Sequence, residues 1–344
     1  MKTIEKQITI PASSEKGKLG AFHLKRYWAK CMAMRDGMLD QKAYPEEWIK
    51  DRTLLHILGL GLEQSIRYLF SVAPDFNEFE DWIIELNGGT VPSEKIEHYN
   101  TAFVNEGKMQ TEREDEELVL SEADLKFWDE NGYVIVRNAI SLEDCDATVA
   151  LICDSLEIKR DQPATWYNTH QAKQGIMVQL FQHPMLQKNR ESTRIRIAYE
   201  QLWRRKDLWV TTDRVSFNPP ETEQYIFQGP RLHWDVSLAL PIPFGTQGLL
   251  YLSDTAENQG AFTLVPGFQH RIEKWIHSLP TDATPGMQDL YALGPKPIAA
   301  NAGDFIVWQQ ALPHGSSPNT SRLPRIVQYI NYAPLDENMQ EKWR

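Results

Sequence analysis

The sequence predicts an α+β protein, in which a helical N-terminal region precedes a β-sandwich or barrel with helices packed outside it. Helical patterns dominate the first part, whereas short β-type runs separated by Pro and Gly dominate from about residue 205. The chain has 344 residues, of which 42% are hydrophobic and 24% charged, as in ordinary globular proteins. This length allows two domains, and we predict them at residues 1–117 and 118–336.

The N-terminal region contains three helical patterns. "KLGAFHLKRYWAKCMAMRDGML" alternates apolar and charged residues at roughly helical spacing, "PEEWIKD" has Pro45 and two acids at a helix start, and "DFNEFEDWIIELNGG" ends at the stop signal Gly88-Gly89. The apolar run "TLLHILGLGLEQSIRYLF" is too rich to remain exposed. We therefore expect this region to cap the barrel or to form a homodimer interface.

An acidic stretch, "NEGKMQTEREDEEL", is predicted to be a linker or an exposed helix. In the following "LSEADLKFWDENGYVIVRNAIS", Ser121 is a helix N-cap with Asp124 at the capping-box position, and Ser141 caps a second helix. The run "YVIVRN" between these helices is predicted to be a strand. Later strands are predicted in "LWVTTDRVSF", "RLHWDVSLALPI", "GLLYLSD", "GAFTLVPG", "DFIVWQQALPHG" and "RIVQYINYAP".

Charge and cysteine content exclude several classes of function. The net charge is −11 and no Lys/Arg stripe with interleaved aromatic residues occurs, so nucleic acid and anionic membrane surfaces are not expected partners. The three cysteines, Cys31, Cys145 and Cys153, match neither a CxxC motif nor a disulfide framework, which indicates a reduced compartment. The N-terminus lacks the apolar core of a signal peptide, and no apolar run could span a bilayer. We expect a soluble, cytoplasmic protein.

The stretch "GPRLHWDVSLALP" places His233 and Asp235 two residues apart in a predicted strand, so that both side chains point to one face. A His-x-acid pair is a weak signal, because nine histidines and 47 acids in 344 residues give about one by chance. Two histidines and one carboxylate are a common iron site in oxygenases, with the remaining coordination positions open. The third ligand would be His270 or His314. The alternative is a hydrogen-bonded pair and an unrelated loop histidine.

His314 is the preferred third ligand, because it follows an apolar strand and precedes a polar loop. A late strand that returns beside an early one is typical of a jelly roll. His270, in "PGFQHR", is predicted to be a structural turn residue. Arg325 lies eleven residues after His314 and would bind a carboxylate through two hydrogen bonds, with Arg322 as a nearby rival. Ser316 could add a hydroxyl donor.

From Leu118 to Pro334 the chain resembles the phytanoyl-CoA dioxygenase family of Fe(II)/2-oxoglutarate-dependent oxygenases. The segments that carry the resemblance are "LSEADLKFWDENGYVIVRNAIS", "LHWDVS", "NQGAFTLVPGFQH" and "PHGSSPN…R". The resemblance implies a double-stranded β-helix, or jelly roll, with flanking helices. The chain departs from the family pattern at two places. Trp234 stands where a polar residue is common in the family, and the first hundred or so residues do not match the family core.

The resemblance also implies roles for particular residues. His233, Asp235 and His314 would ligate Fe(II), and Arg325 would clasp the distal carboxylate of 2-oxoglutarate with the help of Ser316. Two weaker matches, Tyr251 and Gln179, would lie beside the cosubstrate.

The implied reaction consumes O2 and 2-oxoglutarate, releases succinate and CO2, and hydroxylates an unactivated C–H bond. The carboxylate of Asp235 argues for hydroxylation over halogenation, while desaturation and epoxidation stay open. No strong cationic patch for a coenzyme A phosphate is evident, which favours an amino acid or a natural-product intermediate as substrate. The alternatives are an acyl-thioester hydroxylase, a non-catalytic jelly-roll binding protein, and a hydrolytic or isomerising cupin. Arg325 argues against the last.

Overall fold

A computed structural model of the protein describes residues 9–105, 117–338 and 340. The described residues form two compact units. Residues 9–105, together with Pro334–Asp336, make the first unit, and residues 117–333 make most of the second. The acidic stretch predicted as a linker lies largely in residues 106–116, outside the described residues.

The first unit is helical, as its sequence predicts. Its core is formed by apolar side chains with no exposed surface, among them Leu54, Leu58, Leu69 and Phe79. Asp75 caps the fourth helix, since its carboxylate accepts a hydrogen bond from the Glu78 amide. The helices are α1 Leu24–Arg35, α2 Trp48–Ile57, α3 Leu62–Val72, α4 Phe76–Leu86 and α5 Ser93–Val104.

The second unit contains helices and short antiparallel strands in the order expected of an α+β jelly roll. Its helices are α6 Glu122–Asn131, α7 Leu142–Ser155, α8 Pro184–Arg190, α9 Thr193–Trp203 and α10 Ile272–Ser278. Its strands are β1 Tyr133–Val136, β2 Lys173–Gln174, β3 Met177–Val178, β4 Leu208–Val210, β5 Val215–Asn218, β6 Thr246–Tyr251, β7 Phe262–Leu264, β8 Lys296–Ile298, β9 Phe305–Gln309, β10 His314–Ser316, β11 Arg325–Tyr329 and β12 Tyr332–Pro334.

Two sheets build the jelly roll. The larger has the strand order β1-β9-β6-β11-β5-β3-β2 and the smaller has the order β10-β7-β8. Alternate side chains of each long strand point to opposite faces, so the large sheet serves two cores. Leu250 and Phe305 belong to the core shared with the helices, whereas Leu249 and Ile306 belong to the core shared with the smaller sheet. The predicted double-stranded β-helix is confirmed.

Local sequence signals explain where several elements begin. The Ser121 hydroxyl accepts a hydrogen bond from the Asp124 amide at the start of α6, and Ser141 does the same for the Asp144 amide at α7. Both predicted caps are confirmed. No helix among the described residues is long and apolar enough to cross a membrane.

The predicted strand "RLHWDVSLALPI" is wrong. In this segment only His233 forms a β-bridge, to His314, and the remaining residues are irregular. Pro230, Pro241 and Pro243 lack the amide hydrogen that a strand ladder requires, which explains why the apolar run does not extend into a strand.

Candidate metal centre

The backbone brings His233 to His314. The two residues exchange amide-to-carbonyl hydrogen bonds of 2.9 and 3.0 Å, and the Ser316 amide donates to the Pro230 carbonyl. Gly315 makes this approach possible, because a Cβ at that position would lie 2.7 Å from the Arg231 carbonyl oxygen. The irregular segment is thereby fastened along β10, and the two imidazoles become neighbours.

The side chains of His233, Asp235 and His314 converge on one point. Asp235 Oδ1 lies 3.3 Å from His233 Nε2, and Asp235 Oδ2 lies 3.3 Å from His314 Nε2. On the other side of each ring, Nδ1 faces a backbone carbonyl: that of Arg231 at 2.7 Å and that of Leu312 at 3.1 Å. A carbonyl only accepts, so each Nδ1 carries the proton, and in a neutral ring the Nε2 lone pair faces the carboxylate.

This arrangement calls for a cation. Desolvation raises the pKa of Asp235, but the hydrogen bonds that protonated His233 and His314 rings donate outweigh it and hold the pKa well below its usual range. For His233, burial lowers the pKa. The hydrogen bond to Asp235 and the charge of Asp235 together raise it by more, so the net pKa is raised. No Lys or Arg of the described residues forms an ion pair with Asp235. A proton or a divalent ion between the three ligand atoms would remove the repulsion between the Nε2 lone pairs and the carboxylate. Two imidazoles and one carboxylate form a donor set that fits Fe(II).

A second histidine–carboxylate group occurs in the first unit and has a different character. His23, Glu47 and Asp51 are close enough together to hold an ion. However, Lys30 Nζ already lies 2.6 Å from Glu47 and 2.8 Å from Asp51, and Arg26 lies 2.9 Å from Glu47. Side-chain cations therefore neutralise these carboxylates, and the group is a buried ion-pair cluster.

Arg325 is fully buried at the start of β11. Its two terminal nitrogens donate to the hydroxyls of Ser316 and Ser216, each at 3.0 Å, and its Nε has no hydrogen-bond partner among the described residues. Each serine oxygen accepts from the guanidinium, and Tyr329 also hydrogen-bonds with Ser216 and Arg325. A buried, unneutralised guanidinium between two such hydroxyls fits a carboxylate ligand.

The remaining candidates have other contacts. The Tyr251 hydroxyl is buried, donates to the Ile298 carbonyl and accepts from the Phe262 amide. The charge of Arg325 lowers the pKa of Tyr251, but burial is the larger effect and raises the pKa to about 12. Gln179 follows β3 and donates to Gln174. His270 lies in a 3-10 turn and its Nε2 donates to the Asp129 carbonyl at 2.7 Å.

Sequence reasoning missed two residues of the site. Ser216 lies on β5 and holds one arm of Arg325, and Gln247 lies on β6 with its amide nitrogen 2.7 Å from Asp235 Oδ2. Both are polar residues on strands that carry a second polar residue, Asn218 on β5 and Thr246 on β6, so residue type alone does not single them out. Their partners depend on strand register, which spacing along the chain does not reveal.

Comparison with protein families gives a match over residues 128–327 to the family described as phytanoyl-CoA dioxygenase (PhyH). This range covers more than half of the chain. A protein of Dictyostelium discoideum, whose name assigns it provisionally to the phytanoyl-CoA dioxygenases, is 25% identical over 260 residues, which cover 61% of this chain and 74% of that protein.

Solved structures of similar fold include AviO1 from Streptomyces viridochromogenes Tue57, which is 17% identical with a TM-score of 0.44 over 63% of this chain and 96% of that chain. EctD from S. alaskensis with bound Fe is 13% identical with a TM-score of 0.46 over 67% of this chain and 82% of that chain. These TM-scores lie below 0.5, so the site is interpreted from the family match and from its own geometry.

Proposed function

Because the chain belongs to the phytanoyl-CoA dioxygenase family, whose members are non-haem Fe(II)/2-oxoglutarate-dependent oxygenases, we propose that His233, Asp235 and His314 bind the iron with which it hydroxylates a small molecule. The protein is an oxygenase that uses Fe(II), 2-oxoglutarate and O2. When bound, iron and 2-oxoglutarate supply the oxidising power, with release of succinate and CO2.

One observation carries the assignment of the ligands. Both Nε2 atoms face the carboxylate of Asp235 at 3.3 Å, while both Nδ1 atoms are committed to carbonyls. Hydrogen-bonded ring nitrogens of this kind fix the tautomer and orientation of metal-binding histidines. These residues would therefore hold the iron through two preoriented imidazole nitrogens and one carboxylate.

Arg325 is proposed to bind the distal carboxylate of 2-oxoglutarate. Its burial and its partnerless Nε support this role, since a buried guanidinium gains most from an anionic partner. Ser316 and Ser216 orient the guanidinium from two strands, and the Ser316 hydroxyl can donate its hydrogen to the same carboxylate. Tyr251 and Gln179 stay predicted neighbours of the cosubstrate.

The proposed substrate is a small amino acid or natural-product intermediate, with an acyl thioester as the alternative. The test is succinate formation by the Fe(II)-loaded protein with 2-oxoglutarate and O2, screened against both classes, with mass spectrometry for a product that has gained one oxygen atom. We expect substrate-stimulated succinate in the wild type and in His270→Ala, and none in His314→Ala. Iron and 2-oxoglutarate binding without turnover on any substrate would instead favour a binding protein.

Two further parts of the proposal concern the surroundings of the enzyme. We infer a cytoplasmic location, which the three buried cysteines, none of them in a disulfide, support.

We also infer a homodimer through the N-terminal helices, and the exposed apolar residues Ile66 and Phe70, one turn apart on α3, support it. If α3 is the interface, Phe70→Glu lowers the mass of the protein in light scattering, and an unchanged mass would exclude α3.

A further inference from the structure

Gln247 links the proposed metal centre to the core of the jelly roll. Its Nε2 donates to Asp235 Oδ2 at 2.7 Å, and its Oε1 accepts from the indole nitrogen of Trp308 at 3.1 Å. Gln247 and Trp308 face each other directly across the antiparallel strands β6 and β9. Directly opposed residues on one face of a strand pair are close enough for such contact.

The chemistry of the indole fixes the direction of this chain of hydrogen bonds. An indole N–H can only donate, so the amide oxygen of Gln247 must face Trp308 and its NH2 group must face Asp235. The reverse orientation would point the amide oxygen at a carboxylate oxygen and leave the indole without an acceptor. Gln247 is therefore held as a donor to Asp235.

Trp308 is itself immobilised by packing. It is 2% exposed, its ring centroid lies 4.2 Å from that of Phe262, and it lies 5.2 Å from that of His314. Asp235, in contrast, has a side chain that is 54% exposed and sits on an irregular segment. Without Gln247, the carboxylate would be oriented only by the two histidines with which it is to share an ion.

We propose that Gln247, held by Trp308, is a positioning residue that fixes the orientation of Asp235 for metal binding. The inference rests on the proposed metal centre. Asp235 Oδ2 accepts the Gln247 hydrogen bond. Asp235 Oδ1 has His233 as its polar neighbour among the described residues. The hydrogen bond from Gln247 would therefore hold the Asp235 carboxylate in one orientation toward the proposed metal position.

The test is the affinity of the protein for Co(II) alone, titrated by visible absorption in the absence of 2-oxoglutarate. Loss of an outer hydrogen-bond partner typically weakens metal binding 10- to 100-fold, so Gln247→Leu should weaken Co(II) binding by about tenfold or more. Gln247→Asn keeps the amide but cannot span both partners, and should weaken binding as much. Gln247→Asn also carries the test if the leucine variant folds poorly.

Trp308→Phe should weaken Co(II) binding less, and adding it to Gln247→Leu should cause no further loss, because Trp308 acts through Gln247. Gln310→Leu is the matched control, since Gln310 is a half-buried glutamine that donates to the Pro243 carbonyl and does not contact Asp235. Its affinity should equal that of the wild type.

Three results would overturn the inference alone: wild-type affinity in Gln247→Leu and Gln247→Asn, an equal loss in Gln310→Leu, or full additivity of the Gln247 and Trp308 substitutions. If the wild type binds Co(II) no better than His314→Ala does, the proposed metal centre fails, and the role of Gln247 fails with it.

Discussion

The two units each contain a histidine–carboxylate group, and the groups differ in what balances their negative charge. In the first unit, Lys30 lies between Glu47 and Asp51, and His23 Nε2 hydrogen-bonds to Asp51 at 2.9 Å. In the second unit, the partners of Asp235 among the described residues are the ring nitrogens of His233 and His314 and the neutral amide of Gln247. The residue types are alike, but only the first group has a Lys or Arg paired with its carboxylates among the described residues.

This difference shows why ligand-type residues at short distance do not by themselves define a metal site. A Lys ammonium within 3 Å of two carboxylates satisfies them, and a metal ion would have to displace it. In the second unit, histidines stand where the first unit has a lysine. Their Nδ1 atoms are hydrogen-bonded to backbone carbonyls, so their Nε2 atoms are available as ligands. The charge balance of the cluster therefore separates an ion-pair core from a candidate metal centre.

The largest effect is expected from Asp235→Gly, which removes the only carboxylate of the candidate metal centre. His233 and His314 should still bind Co(II), but more weakly, and hydroxylation should fall below detection, with little or no halogenated product in chloride. Metal titration and product mass spectra measure both. Near-wild-type hydroxylation would mean that Asp235 is a hydrogen-bonding residue without a role in the reaction.

Lys30→Met should destabilise the first unit by about 3 kcal/mol, because two carboxylates that are mostly shielded from solvent lose their main cation. Urea denaturation followed by circular dichroism measures the change. The control is Lys25→Met, which breaks the more exposed pair with Glu15 and should change stability by less than about 1 kcal/mol. Equal effects in the two variants would contradict the view that the cluster depends on Lys30.

Arg325→Lys should raise the KM for 2-oxoglutarate by about 30-fold, since losing one arm of a charge-assisted bidentate pair costs about 2 kcal/mol. Co(II) affinity should not change, because the metal ligands are untouched. Arg322→Lys, at an exposed neighbouring position, is the matched control. A large effect in the Arg322 variant with none in the Arg325 variant would show that Arg322, and not Arg325, binds 2-oxoglutarate.

The smallest effect is a dependence of stability on pH. Burial raises the pKa of Glu47, but hydrogen bonds from Arg26 and Lys30 outweigh it and lower the pKa to about 2. A depressed carboxyl pKa stabilises the fold above the pKa of the unfolded chain, and this contribution is lost as the pH falls. We expect a loss on the order of 2 kcal/mol between about pH 5 and pH 2. In Glu47→Gln, this part of the pH dependence should disappear. An unchanged profile would mean that the titration of Glu47 does not cause the loss of stability at low pH.

The sequence predicts the fold better than it predicts the contacts of the site. Short apolar runs such as β6 and β9, which are buried on nearly every residue, are a property of neighbouring residues and can be recognised locally as strands. The strand predicted around His233 was wrong because its prolines prevent a ladder, yet His233 and Asp235 still face the same point. Here the close spacing of two residues was more informative than the predicted strand.

Ser216 and Gln247 could not be predicted, because their roles depend on residues that are distant in sequence. Gln247 meets Trp308 through the register of β6 against β9, and Ser216 meets Arg325 through the neighbouring positions of β5 and β11. Register is fixed by the packing of the whole sheet. Likewise, the pairing of Lys30 with Glu47 and Asp51, which makes the His23 group an ion-pair cluster, depends on the fold.

The most direct test of the central claim is the metal content of matched histidine variants after loading with Fe(II) under anaerobic conditions and removal of free metal. We predict one iron per chain in the wild type and in His23→Ala, and almost none in His233→Ala and His314→Ala. Loss of iron from His23→Ala together with its retention in His314→Ala would contradict the account, because it would place the metal in the ion-pair cluster of the first unit.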